Sequence, residues 1–482
     1  MVLSRALVAL FPSPTHGPQA HARSRVDGWR ARLAKGSPLS LTAIPLAKGS
    51  IPGLGHVPRL LRDPLAVLRS LHAEGPLLRL NIGTMPIVVA TSATTVNEVM
   101  VKHSKAFKKG RLFEQMRPVV GNGLANSDGP EHIRNRRLIQ PMFYKERIAG
   151  YAEVMRDLAE TLADSWSAGQ QIDVDEVMGS YAIETLAATL FSTDIGRPAV
   201  ESVREDLPII LKNMLRRALA PRLTDNWPIW KEFDRSAARM RSVIDDVIAK
   251  TRASEPGNGT DLLSLLLSAR DDTGAGFTDE EVRDELTTML FAGSETVAST
   301  LSWAMHHLAE HPEVERELLK ELDKVVGDRP VSFADVPQLP SITRVLDEVI
   351  RLHGVVSLMR RTTESVTIGG YVLPADTEVL LSLYALHRNP ELYPDPDRFD
   401  PDRWLPEQAA RRPREHVVPF GAGNRKCIGD KFAWMEATIT LATILPRWKL
   451  RPVPGSKPPK ESTASMAHPA RVPMIVHPRG ES

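Results

Sequence analysis

The only cysteine of this 482-residue chain, Cys427, lies in PFGAGNRKCIGDKFAWMEAT, residues 419–438. Gly421, Gly423 and Gly429 surround it together with Phe420, Arg425 and Lys426, and an amphipathic stretch follows at once. Glycines let a backbone turn tightly and approach a flat group closely. Unpaired amides at a helix start and neighbouring cations stabilise a thiolate. Most lone cysteines are buried small hydrophobes, but such a residue has no reason to sit among three glycines and two cations. A catalytic nucleophile is the rival, yet no nearby His or Asn completes a triad. The surroundings suit a sulfur that ligates a metal.

Two further groupings carry chemistry. In Ala292-Gly293-Ser294-Glu295-Thr296, residues 292, 293 and 296 stand at i, i+1 and i+4 and share one helix groove. Gly293 weakens a helix interior by about 1 kcal/mol relative to Ala, and Thr296 has the spacing to bond back to carbonyl 292 and bend it. In LDEVIRL, Glu348 and Arg351 stand at i and i+3, and Leu346, Val349, Ile350 and Leu352 imply that the pair is buried. A buried ion pair needs further partners, and Arg403, in the Pro-rich YPDPDRFDPDRW, is the candidate.

Phe420, Gly421, Gly423, Arg425, Cys427 and Gly429 together resemble the haem-binding signature of the cytochromes P450. The resemblance covers residues 51–475 or so and implies haem b (iron protoporphyrin IX) with Cys427 as its axial ligand and Arg425 on a propionate. Thiolate ligation favours O–O cleavage of dioxygen. Ala292 and Gly293 then resemble the family's oxygen-binding groove, with Glu295 and Thr296 as an acid–alcohol pair that delivers protons during that cleavage. Glu348, Arg351 and Arg403 resemble the structural triad that locks the Cys loop beneath the haem. Propionates want Arg or His partners. His132 and Arg136, at i and i+4 in GPEHIRNRR, and Arg360 are the expected ones, with Arg361 left open. One departure stands out: many relatives carry prolines after the triad's first arginine, where this chain reads Leu352-His353-Gly354-Val355-Val356.

The elements that must position these residues are mostly helical. Thr278 with Glu281 makes a capping-box pattern, Pro312 marks the far end, and Val282, Leu286, Leu290, Val297, Leu301 and Leu308 keep helical spacing. This predicts a central helix from about Thr278 to Glu310, about 50 Å long. Helices are also expected over 341–353 and from Ile428 to about Leu445. Residues 77–90, divided by Gly83 and Pro86, read as a hairpin, and 366–382 as a second β stretch. The Pro-rich 393–404 segment is expected to be irregular. The fold class is thus mainly α with a smaller β region, the haem held between the central helix and the helix after the Cys loop.

Composition sets the outer limits. With 42% hydrophobic and 25% charged residues the chain reads as an ordinary globular protein. Residues 1–50 hold seven cations against Asp27, a charge of +6, so of the chain's +2 the remainder carries −4. No nucleic-acid partner is expected. These 50 residues read as a basic, disordered extension, and 51–482 as one catalytic domain without repeats or linkers. The Ala6–Phe11 run is too short to span a bilayer, so no transmembrane anchor is expected, and Ala20-His21-Ala22 is read as tail rather than cleavage site. One cysteine excludes an intrachain disulfide and suits a reducing compartment, the cytoplasm.

No flavin or nicotinamide fingerprint appears, so electrons must arrive from another protein, and a ferredoxin reduced by NAD(P)H through a ferredoxin reductase is the expected partner. Arg411, Arg412, Arg414, Arg425, Lys426 and Lys431 outnumber Glu407, Glu415 and Asp430 and would steer an acidic partner. A monomer is expected. RLLRDPLAVL, HIRNRRLIQPMF and PDRFDPDRWLPE resemble bacterial terpene oxidases of this family, which implies a cyclic sesquiterpene or similar hydrocarbon as substrate. The expected pocket is mostly apolar: the 112–124 loop, Leu290, Val297, Val355, Val356, Ser357, Leu358 and Met466. Another hydrophobic metabolite, a steroid or fatty acid, is the alternative substrate. A haem-thiolate gas sensor is the remoter alternative, but it has no need of Glu295 and Thr296.

Overall fold

A computed structural model of the chain describes residues 39–191, 193–219, 227–253, 261–463 and 466–480. The apolar run Ala6–Phe11 and the triplet 20–22 lie outside the described residues.

The central helix spans Asp279–Glu310. Its capping box is complete: the Thr278 hydroxyl accepts from the Glu281 amide at 3.2 Å, and the Glu281 carboxylate accepts from the Thr278 amide at 2.7 Å. Pro312 opens the next helix, Pro312–Val325, because it needs no donor there. The central helix packs against Val174–Leu190, Lys231–Ala253, Pro340–His353 and Asp430–Ile444. It is buried over most of its length, so its apolar stripe widens into nearly the whole circumference.

The β region forms a five-stranded sheet in the order Leu77–Ile82, Met85–Ala90, Glu378–Ser382, Ser357–Thr362, Phe107–Lys109. The expected hairpin is there, but it turns at Gly83, with φ +61°, and Pro86 belongs to the second strand. Pro86 is tolerated because the neighbouring parallel strand pairs only from Val88 onward. The 366–382 stretch splits. Val366–Ile368 and Tyr371–Leu373 make a separate hairpin, and Glu378–Ser382 enters the large sheet. Residues 393–404 are turns ending in the short helix Pro401–Trp404.

Two boundaries shift. Residues 39–50, expected within the disordered extension, pack on the sheet: Leu39 bridges Tyr371, Leu46 bridges Arg79, and Ile44 and Ala47 are buried. The 112–124 loop is instead the helix Arg111–Val120 followed by a turn at Gly121. Three separate apolar clusters result, one among the helices, one beneath the sheet and one around Ala47, Val89 and Val356. Among the described residues no helix is long and apolar enough to cross a membrane.

Candidate active site

The Cys loop folds on itself before its helix begins. The Cys427 amide donates to the Phe420 carbonyl at 2.9 Å and Gly421 to Val418 at 3.0 Å. Gly421 and Gly423 have φ of +69° and +68°, and a Cβ on Gly423 would lie 2.1 Å from the Met100 carbonyl oxygen. Both positions therefore require glycine. The Phe420 ring meets Trp434 edge-on. Cys427 is accessible to solvent, yet enough protein surrounds it that burial pushes its thiol up, against the opposing hydrogen bond from the Gly429 amide and the charges of Arg136 and Lys426. A metal at the sulfur would reverse that balance.

Beside the loop the structure gathers cations around one carboxylate. Asp128 accepts from the Lys109 amide at 3.1 Å and from the Arg425 guanidinium, which also reaches the Ser127 carbonyl at 2.6 Å. Arg136 donates to the Lys426 carbonyl at 2.7 Å. Arg360 is buried, and the hydrogen bond found for it goes to the adjacent Met359 carbonyl. The crowding shows in their acidities. Burial, and then Arg425, lowers Arg360 to about 10. Burial, and then Arg425, Lys109, Arg136 and Arg360, lowers His132 to about 3. Lys109, which the sequence did not single out, is pushed well down by burial and by Arg360 and Arg425. Strand alternation separates Arg360 from Arg361, which turns the other way to Glu114, Asp376 and Glu378.

On the central helix Ala292 is exposed, although Phe291, Ser294 and Val297 around it are buried. The Thr296 hydroxyl donates to the Ala292 carbonyl at 2.8 Å, the back-bond its spacing predicts. The missing Cβ of Gly293 faces the tip of the Leu186 side chain, 2.8 Å away, so the neighbouring helix packs closely there. Glu295 is half-buried, and its charge helps raise His468, which pairs mainly with Asp175 at 3.0 Å. Leu290 and Val297 belong to the helical cluster, Val355 and Leu358 pack on the cluster beneath the sheet, and Val356 belongs to the third. Ser357 is half-buried, and Met466 bridges Val355.

The Glu348 cluster is completely enclosed. Glu348 accepts from Arg351 at 2.7 and 2.8 Å, from the Asp400 amide at 3.0 Å, from Arg403 at 3.3 Å and from the Trp404 indole at 3.0 Å. Arg351 also donates to the carbonyls of His387 and Pro396. Trp404 escaped the sequence reading because an indole in a Pro-rich segment carries no periodic signal.

The cytochrome P450 family model matches residues 45–475. The chain belongs to the cytochrome P450 family. It is 42% identical over 440 residues to cyclooctatin synthase of Streptomyces melanosporofaciens, covering 90% of this chain and 95% of that one. Over 430 residues it is 33% identical to pentalenene oxygenase of Streptomyces avermitilis, covering 88% and 95%. The crystal structure of the cytochrome P450DA heme domain superposes with a TM-score of 0.81 at 27% identity, covering 90% of this chain and 98% of that one. As a P450 monooxygenase it takes a haem, an apolar substrate and electrons from a redox partner. The residues present fit the haem: one thiol for iron in a glycine cradle, and beside it a surplus of buried cations that suits two propionates.

The proposed electron-entry surface is narrower than the sequence suggests. Arg411, Lys426 and Lys431 are exposed, whereas Arg412 stacks over Tyr393 and Trp404 and Arg425 turns to Asp128. The Arg414 side chain lies outside the described residues.

Proposed function

We propose that this chain inserts one oxygen atom of dioxygen into a cyclic terpene, with a sesquiterpene hydrocarbon as the expected size, in the cytoplasm and as a monomer of one catalytic domain. The observation that carries the reading is near full-length similarity to oxygenases named for pentalenene and cyclooctat-9-en-7-ol. Apolar Leu290, Val297, Val355, Val356, Leu358 and Met466 support it, since a hydrocarbon offers nothing to a polar lining.

Haem b, when bound, would supply dioxygen activation, which thiolate ligation promotes. Cys427 would hold the iron, and Phe420, Gly421 and Gly429 would shape the turn that presents the sulfur. Arg425, Arg360, His132 and Arg136, joined by Lys109, would hold the propionates. Ala292, and Gly293 through its bare backbone, would leave the helix face low beside a bound small molecule. Thr296 would offer a hydroxyl there, and Glu295, with His468 nearby, would pass it protons. The exposed Arg411, Lys426 and Lys431 suit an acidic ferredoxin, itself reduced by NAD(P)H through ferredoxin reductase.

The first test is absorption of the reduced protein under carbon monoxide. The purified protein is expected to give the thiolate-type band and Cys427→Ser to lose it; a band that survives the substitution overturns the haem-thiolate reading. Pentalenene and cyclooctat-9-en-7-ol, supplied with ferredoxin, ferredoxin reductase and NADPH, are the substrate probes. A product one oxygen heavier supports the terpene reading, and no spin shift or product with either removes it.

A further inference from the structure

Two residues past Arg351, the ring of His353 is the centre of a buried network. Its Nδ1 lies 2.7 Å from Glu461 and its Nε2 lies 2.8 Å from Nε2 of His307 on the central helix. Glu461 also accepts from Arg388 at 3.0 Å and from the Tyr384 hydroxyl. Although burial alone would raise it, the bond from His353 and the charge of Arg388 hold the Glu461 carboxyl below its ordinary value. An ionised Glu461 takes a proton donor from Nδ1 of His353, which leaves Nε2 to accept from His307. Burial lowers His353 to about 4, so both rings are neutral and every bond in the chain has one donor and one acceptor. Among the described residues no three such groups converge as a metal ion would need.

The same ring lies flat on Trp303, with centroids 3.7 Å apart and planes at 6°. The Trp303 indole donates to the Ala467 carbonyl at 2.8 Å, and the Ala467 amide donates to Gly354, next to His353, at 3.2 Å. Glu461 begins one strand of a hairpin, Glu461–Thr463, and Ala467 begins the other, Ala467–Pro469. One imidazole therefore holds the anchor of the first strand directly and that of the second through Trp303. Between them sits Met466, bridged to Val355.

We propose that His353 is a positioning residue for the substrate: by gripping Glu461 directly and Ala467 through Trp303, it fixes the paired strands 461–463 and 467–469 and with them Met466 at the edge of the cleft. This rests on the reading above that Val355 and Met466 line the cleft.

The experiment compares holoenzyme of wild type, His353→Phe, which keeps the stack but loses both hydrogen bonds, and His353→Asn, whose amide can replace the donor to Glu461. With haem content and the carbon monoxide band unchanged, His353→Phe is expected to speed amide exchange in peptides over 461–469 on the order of tenfold, as expected on losing a buried charge-assisted bond. It should also shift the affinity for 4-phenylimidazole severalfold, and alter KM and product ratio with the two terpene probes more than kcat. His353→Asn should restore most of the protection. Unchanged exchange, or faster exchange with azole affinity intact, overturns the proposal, as does failure of the Asn variant to rescue. If His353→Phe does not retain haem, Glu461→Gln, which leaves the ring and its stack in place, supplies the same readouts. If wild type oxidises neither probe, the terpene reading fails, while exchange and azole binding still decide the role of His353.

Discussion

Two clusters of buried charge stand in this fold, and they are built on opposite rules. Around Glu348 both carboxylate oxygens are fully engaged. All three nitrogens of Arg351 are bonded, and four groups converge on one carboxylate. Around Asp128 the ledger is open: Lys109, Arg136, Arg360 and Arg425, with His132 among them, share one acid, and burial depresses Lys109, His132, Arg360 and Arg425. A closed cluster holds two segments of chain together and has no capacity left. An open one is unfavourable on its own and becomes favourable when an anion arrives, because cation repulsion and lost hydration are relieved together. The difference separates a lock from a binding site without reference to any ligand.

Removing one member from each cluster should break the comparison if it is wrong. Glu348→Ala strands two arginines in the interior and should cost about 3–5 kcal/mol. Haem-free or unfolded protein is expected on purification, and normal haem content with an unchanged Tm would show that the cluster is no lock.

Acid sharpens the contrast. The folded chain keeps His132 neutral down to about 3, while the unfolded chain protonates it near the ordinary 6.5. Between those values the unfolded state binds more protons, so apoprotein stability should fall as pH falls, by up to about 1.4 kcal/mol per pH unit. Denaturant unfolding across this window should give a shallower slope for His132→Gln. An identical slope would remove His132 from the open cluster.

The loop beside the open cluster is sterically committed. Gly423→Ala places a Cβ against the Met100 carbonyl at a positive φ and should cost about 1–3 kcal/mol. Gly429→Ala, where a Cβ meets only Phe143 at 3.7 Å, should stay within about 0.5 kcal/mol. Equal thermal shifts would mean that the loop tolerates more than its backbone suggests.

The smallest effect is the most telling in sign. Arg360→Met removes a buried cation that must share its counter-charge, Asp128, with Lys109 and Arg425 and should stabilise the apoprotein by about 1 kcal/mol, while haem transfers faster to a scavenger protein. If the apoprotein loses stability instead, Arg360 belongs to a lock like Arg351.

Much of this was legible in residue order, for identifiable reasons. The capping box, the Thr296 back-bond and the Glu348–Arg351 pair are contacts three or four residues apart, which helical geometry fixes wherever the helix lies. The Gly-rich turn announced itself through residue type. Lys109, Asp128, Trp404 and the grip of His353 on Glu461 were not legible, since their partners lie far away in sequence and in elements of different period. The close packing of Leu186 on Gly293 was not legible either, because spacing gives a helix face but not what packs on it.

By itself the sequence determined the family, the sulfur that can hold iron, the central helix and its notch, and a mainly helical fold, because each depends on local chemistry or short-range spacing. Only the tertiary structure decided that residues 39–50 join the body, that Arg360 rather than Arg361 faces the open cluster, and which cations remain on the surface. Those outcomes depend on which strand face is enclosed and which distant segment encloses it, and burial is a property of the assembled interior that no stretch of chain carries alone.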